Sequence, residues 1–411
     1  MSGLGSVLAP LAPMLARLVP EPLLLRVLPS GLRWDPTGLA VAVAPSSRVA
    51  VFIGPANSAG QGFRWANAIR NDLDGAAAVS LATIPRGARN PAFPVDVAVP
   101  LAATVFSRRW QRAQRRELVE GFSHALIESG RHPFRGALGG SAADPLRELS
   151  RSGLSVAFLW HGSDIRLPSA HARSEPDSPF GRSGSYPDDQ TARLERNAAA
   201  NLEAVAESDF PVFVSTPGLL DVPRAVWLPV VVDIDSWTAP DAPLTSDRPV
   251  VAYAPSNPAM KGDPSIDARL QRLDARGVIR YRRLEGVPAT EMPGVYRAAD
   301  IVLDQFRLGD YGVAACEAMA AGRVVVGHVS DRVRTEVQRA TGRELPIVES
   351  RIDAVEETVL ALLDDRAGAR AMAASGRAFV EAVHDGRASA RTLSEFLGTS
   401  AASEASDQER P

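Results

Sequence analysis

A carboxylate set into an otherwise apolar helix behind a glycine-rich loop is a combination suited to nucleotides, and it occurs once here. The stretch runs Gly309-Asp310-Tyr311-Gly312-Val313, continues as Ala314 to Ala321 with Glu317 as its acidic residue, and stops at Gly322. Apolar runs flank it, Ile301-Val302-Leu303 before and Val324-Val325-Val326 after, so the unit reads strand, loop, helix, strand. The amides of the first helical turn, with the positive end of the helix dipole, favour a phosphate at the loop. Glu317, just over one turn in, is placed to accept hydrogen bonds from sugar hydroxyls. Phosphate and hydroxyl recognition side by side point to a nucleotide sugar.

The elements that must position these residues follow an α/β grammar. Arg48 to Gly54 is an apolar run feeding a glycine loop, Asn57 to Gly62, in which Gly60 and Gly62 are candidate contacts for acceptor or donor as well as turn formers. Runs at Ser155–Trp160 and Pro211–Val214 alternate with helical stretches such as Asp189–Glu207, and the Ser/Pro/Gly/Asp-rich span from Pro168 to Asp188 reads as a long loop. The grammar restarts with a strand at Val250–Ala254, a loop at Pro255–Gly262 and a helix capped by Asp263, with Pro264 first and Ile266, Leu270 and Leu273 on one face up to Gly277. The expected architecture is two Rossmann-like, doubly wound domains. The loops after Ile53, Trp160, Ala254, Leu284 and Gln305 would face a central cleft. The division predicted is an N-terminal extension over 1–46, an acceptor-side domain over 47–237, a linker over 238–249, a nucleotide-sugar domain over 250–377, a helical segment over 378–397 that spans the domains, and a disordered tail over 398–411.

Composition narrows the classes of function. The 411 residues are 45% hydrophobic, enough for two cores, and 45 Lys+Arg against 48 Asp+Glu argue against nucleic acid as the main partner. The single cysteine, Cys316, forms no internal disulfide, and prolines interrupt every apolar run of the first thirty residues, so neither a signal peptide nor a membrane span is expected there and a cytoplasmic protein is predicted. The six histidines show no ligand spacing, so no metal is expected. Asp233-Ile234-Asp235 imitates a metal motif but sits at the linker and reads as structural. Arg108 to Arg116 is a basic helix start. It reads first as a solvated face and second as a patch that docks on a phosphate-bearing acceptor or on anionic lipid, the latter a peripheral contact at the inner face of the membrane. Nothing in the pattern sets an oligomeric state.

From Val250 to about Ser330 the chain resembles the donor-binding domain of bacterial retaining glycosyltransferases of the GT-B fold, those of the large family numbered four. The matching pieces are Ala254-Pro255-Ser256-Asn257 with Lys261-Gly262, Leu284-Glu285-Gly286-Val287, Ala298 to Gln305, and Tyr311-Gly312 with Glu317-Ala318-Met319-Ala320. Thinner likeness in the first half rests on the glycine loop, Trp160-His161-Gly162-Ser163-Asp164, Ser215-Thr216-Pro217 and Leu228-Pro229. The resemblance implies hexosyl transfer from a nucleoside-diphosphate sugar to a hydroxyl acceptor, which would be a glycan, a lipid-linked saccharide or a metabolite, with retention and without cofactor or metal. It implies that Lys261 holds the diphosphate, that Ser256, Asn257, Asp310 and the amides of Tyr311, Gly312 and Val313 line the donor, and that Glu317 holds the ribose. It also implies that Glu285, Gly286 and Val287 lie against the base, that His161 reaches the donor sugar and that Asp164 belongs to the cleft loops. The chain departs from the pattern twice. Gly309 stands where the family usually has a glutamate that touches the donor sugar, and Pro255-Ser256 replaces a basic residue, leaving Lys261 as the clear cation. A protein that binds nucleotide sugars without turning them over, or a same-fold epimerase or phosphorylase, are the competing readings.

Overall fold

The computed structural model describes residues 19–85, 88, 91–136, 140–181, 184–255 and 257–400. The first eighteen residues, Ser256 and all of the expected tail beyond Ser400 lie outside the described residues.

Among the described residues twelve strands form two sheets. β1 (Val49–Gly54), β2 (Ala76–Ile84), β3 (Val97–Pro100), β4 (His124–Glu128), β5 (Ser155–Trp160), β6 (Val212–Val214) and β7 (Ala225–Trp227) make a seven-stranded sheet in the order β3-β2-β1-β4-β5-β6-β7. β8 (Val250–Tyr253), β9 (Arg280–Arg283), β10 (Ile301–Leu303), β11 (Val324–Gly327) and β12 (Val348–Glu349) make a five-stranded sheet in the order β12-β11-β10-β8-β9. The ladders joining β1 to β5, and every ladder of the second sheet, are parallel. Strands buried on both faces must be continuously apolar, and β1, β10 and β11 are buried at every position.

Two compact units result, neither continuous in sequence: residues 1–161, 200–213 and 393–411, and residues 162–199 and 214–392. The stretch 238–249, expected as the linker, falls inside the second unit, as does the loop region after Pro168. That region begins with a helix, Pro168–Ser174, whose proline occupies its first turn, and the next helix runs Asp188–Ala206.

The second unit's core fills the space between its sheet and the helices Pro264–Ala275, Val355–Asp364 and Arg366–Val383. Asp263 caps the first of these by accepting from Ser265 N–H at 2.8 Å, and Ile266, Leu270 and Leu273 are fully buried, as the spacing predicts. The helix Val313–Ala320 ends at Gly322, whose φ of +67° suits glycine, and it packs against Arg366–Val383, where Arg377 donates to Ala320 O at 2.8 Å.

Candidate functional site

In a doubly wound sheet the ligand crevice opens at the carboxyl ends of the strands where the order reverses. Within the second sheet that point lies between β8 and β10, the strands that precede Pro255–Lys261 and Asp304–Gly312. Lys261 ends a four-residue helix, Pro258–Lys261, that replaces the expected open loop; Lys261 N–H donates to Asn257 O at 2.9 Å. Among the described residues the Lys261 ammonium makes no ion pair, and the charge it acts on is the buried carboxyl of Asp304 at the end of β10. Burial pushes Asp304 up to about 6, the lysine pulls it down, and Asp310 pushes it up. Asp304 and Glu317 both act on the buried Cys316 thiol and the buried Tyr296 phenol, which desolvation first and these carboxylates second drive upward. Because β8 and β10 are parallel neighbours, the segments that follow them, with Lys261, Asp304 and the helix carrying Glu317, leave the same end of the second sheet, and Arg307 joins them by donating to Gly262 O at 2.8 Å.

The loop into the helix is held rigidly. Asp310 is buried; its Oδ2 accepts from Arg166 Nη2 at 2.9 Å and its Oδ1 from Tyr311 N–H at 2.9 Å. Burial raises the Asp310 carboxyl and Arg166 opposes the rise. Gln305 Nε2 donates to Asp310 O at 2.6 Å. The Tyr311 ring is buried too, with its hydroxyl 3.3 Å from His384 Nε2, while His384 Nδ1 donates to Val230 O at 2.7 Å. Asp310 and the Tyr311 amide are thus already engaged within the chain. Gly312 and Val313 N–H, at the helix start, have no partner among the described residues.

The remaining donor-side candidates are more open. Glu285 is exposed and pairs with Arg283 at 2.9 Å, and Gly286, at φ +66°, and Val287 complete the turn after β9. Asn257 is exposed at the start of the short helix, and the described residues contain no cluster of three or more ligating side chains able to hold a metal ion.

In the first unit the reversal falls between β1 and β4. The fully buried carboxylate of Glu128, the last residue of β4, ties that end together. Its Oε2 accepts from Ala56 N–H at 2.8 Å and Asn57 N–H at 2.7 Å, and its Oε1 lies 3.0 Å from His161 Nε2. The carboxylate thereby fixes the His161 tautomer, with Nε2 as donor, and the ring stacks on Trp65 at 5.9 Å. Gly60, at φ +76°, forms the turn, and a Cβ on Gly62 would come 3.2 Å from Asn57 Oδ1, so both glycines have structural work here. Asp164 shapes the turn after β5 in the second unit, accepting from Gly162 N–H at 2.8 Å. Asp233 accepts from Ser236 Oγ at 2.7 Å at a helix start, the structural role read from the sequence. Arg108 opens the helix Arg108–Gly121, capped by Ser107, and no described helix is long and apolar enough to cross a membrane.

Sequence reasoning missed Glu128, Asp304, Glu175 and His328, all polar residues at or over the ends of buried strands. One signal was available for Lys261: it is the only lysine among 45 basic residues.

Two parallel, doubly wound sheets of this kind in one chain define the GT-B class of fold, and solved structures of that class superpose over most of the protein. Sucrose-phosphate synthase from Thermosynechococcus elongatus is similar at 14% identity, covering 85% of this chain and 98% of that one with a TM-score of 0.53. An alpha-glucosyltransferase in complex with UDP and a 13-mer DNA matches at 11% identity, 85% and 99% coverage and a TM-score of 0.53. An alpha-glucosyltransferase in complex with UDP-glucose and DNA containing an abasic site matches at 10% identity, 84% and 98% coverage and 0.52. At these identities the likeness is one of fold. Residues 265–395 match the family described as glycosyl transferase-like, and the fold of the chain is GT-B. No curated protein matches the sequence.

Proposed function

We propose that the protein is a retaining glycosyltransferase that moves a hexose from a nucleoside-diphosphate sugar to a hydroxyl acceptor, with Lys261 and the Gly312 and Val313 amides receiving the diphosphate. The observation that carries this reading is that the segments bearing Lys261 and Glu317 follow the neighbouring parallel strands β8 and β10, at the reversal of the second sheet. As the bond from the anomeric carbon to the diphosphate breaks, negative charge gathers on the leaving phosphate. A lysine ammonium and helix-start N–H groups aimed at that charge stabilise the transition state more than the ground state. Glu317 is assigned the ribose hydroxyls, Glu285 to Val287 the base, and His161 the sugar, its ring held by Glu128. Lysine and helix start supply the positive charge, so the proposal contains no metal ion. UDP and UDP-glucose, present in two of the similar structures, are the first nucleotides to test.

The second reading, binding without turnover, is favoured by the engagement of Asp310 with Arg166, which leaves that carboxylate no role in the reaction. A screen of sugar nucleotides for release of nucleoside diphosphate separates the two. The transferase reading expects release from wild type that falls about 100-fold in Lys261→Ala. Ligand binding with no release that depends on Lys261 favours the second.

A further inference from the structure

The segment from Pro168 to Ser185 belongs to the second unit and is fastened over the loops that follow β8, β10 and β11. His171 donates from Nε2 to Leu308 O at 3.2 Å and accepts from Ser178 Oγ at Nδ1, 2.7 Å away; burial keeps the ring neutral, its pKa lowered to about 4. Arg307 donates to Asp177 O at 3.2 Å and to Gly262 O, next to Lys261, at 2.8 Å. Ser185 donates to Ala259 O on the short helix that carries Lys261, at 2.5 Å.

These anchors place Glu175 over Gly309. Gly309 has a φ of +59°, and a Cβ there would overlap Glu175 Oε1. The other oxygen, Oε2, is held 2.9 Å from His328 Nε2 at the end of β11, and His328 Nδ1 is 2.6 Å from Glu349 Oε1. Arg351 Nη1 stands 2.6 Å from the same Nε2 and 4.0 Å from Glu175 Oε2, and its Nε is 3.4 Å from Asp177. Two flanking carboxylates outweigh that one guanidinium and the cost of burial, so the imidazole is pushed up to about 9 and stays charged near neutrality. Oε1, on the Gly309 side, receives no hydrogen bond among the described residues, and it is not among the oxygens sealed from solvent. A carboxylate oxygen so placed is open to donors from outside the chain, water or a ligand hydroxyl. The loop below it leads directly to the helix start assigned to the diphosphate, and the group joined to that diphosphate is a sugar rich in hydroxyl donors.

We propose that Glu175 is a specificity-determining residue whose Oε1 accepts hydrogen bonds from hydroxyls of the donor's sugar, with His328 and Arg351 as the residues that position it. The inference rests on the nucleotide-sugar reading above and adds the sugar's recognition group. The full chain would be titrated calorimetrically with UDP-glucose, GDP-mannose and ADP-glucose, and with UDP, GDP and ADP. For the pair that wild type binds, Glu175→Gln is expected to weaken the sugar nucleotide about tenfold while leaving the bare diphosphate within about twofold. His328→Gln should move the same ratio in the same direction by less. Glu175→Ala combined with Gly309→Glu, which returns a carboxylate from the opposite side of the same space, should recover most of the loss. An unchanged ratio in Glu175→Gln overturns the inference while leaving the nucleotide reading intact, provided Lys261→Ala still weakens both ligands. If wild type binds none of the six, the nucleotide reading fails and the inference falls with it.

Discussion

Replacing Arg166 with methionine removes the guanidinium that neutralises Asp310 without removing the carboxylate. The pair is nearly sealed, with side-chain exposures of 14% and 3% at a separation of 2.9 Å. Breaking a buried pair from one side costs about 3–5 kcal/mol, because the remaining charge has neither solvent nor partner. Asp310 keeps the Tyr311 N–H and the Thr216 hydroxyl, so the lower end applies, about 3 kcal/mol. For a unit of this size that is a fall in Tm of about 6–12 °C by calorimetry. Removing both charges, with Arg166→Met and Asp310→Asn together, should recover more than half of it. The pH dependence has a defined sign. Burial already raises the Asp310 carboxyl, and losing Arg166 raises it further, so the unfolded chain releases its proton at lower pH than the variant does. The variant's deficit therefore narrows as pH falls and Asp310 becomes neutral. A loss below about 1 kcal/mol, or a deficit that widens in acid, would refute the claim that this pair holds the loop.

Three further outcomes follow from the same geometry. His328 has a folded pKa raised from 6.5 to about 9, so its stabilisation is complete below 6.5 and is lost as pH rises through 9; the ceiling of about 3 kcal/mol is reduced by partial solvent screening to about 1–2, and His328→Gln should abolish this alkaline fall in Tm. Gly309→Ala should destabilise by about 1–3 kcal/mol in urea titrations, since its φ of +59° disfavours a side chain and its Cβ would displace Glu175. Glu128→Gln should lower donor turnover at least about tenfold while diphosphate affinity stays within about twofold, because the carboxylate holds His161 and the Ala56 and Asn57 amides and, among the described residues, makes no contact with those assigned to the diphosphate.

Much of the second sheet was legible because its strands are buried on both faces and punctuated by glycine and aspartate. Asp263 as a cap, Gly322 as a stop and the apolar face of Pro264–Ala275 depend only on local spacing, and each stands where the sequence puts it. Strand β9 was legible only through the loop expected after Leu284. Its Arg-Tyr-Arg-Arg sequence lies at the sheet edge, where half-exposed charged residues leave no apolar pattern. β2 is masked by alanine, which carries little strand preference. The region after Pro168 looked like a bare loop because its contacts are with residues more than a hundred positions away, such as Leu308 and His328. For the same reason Gly309 read as the loss of a carboxylate. The space above it is filled by Glu175, a residue no local pattern connects to it.

The central claim is that Lys261 receives the diphosphate, and its being the chain's only lysine makes the test direct. Reductive methylation with 13C-formaldehyde, which preserves the charge, labels that one side chain and the terminal amine, and NMR then follows the lysine resonance during titration with UDP, GDP and ADP. The account predicts that the diphosphate that stabilises the protein thermally shifts this resonance and slows its labelling, and that the corresponding nucleoside does neither. A resonance and a labelling rate that stay unchanged at saturating diphosphate would contradict it.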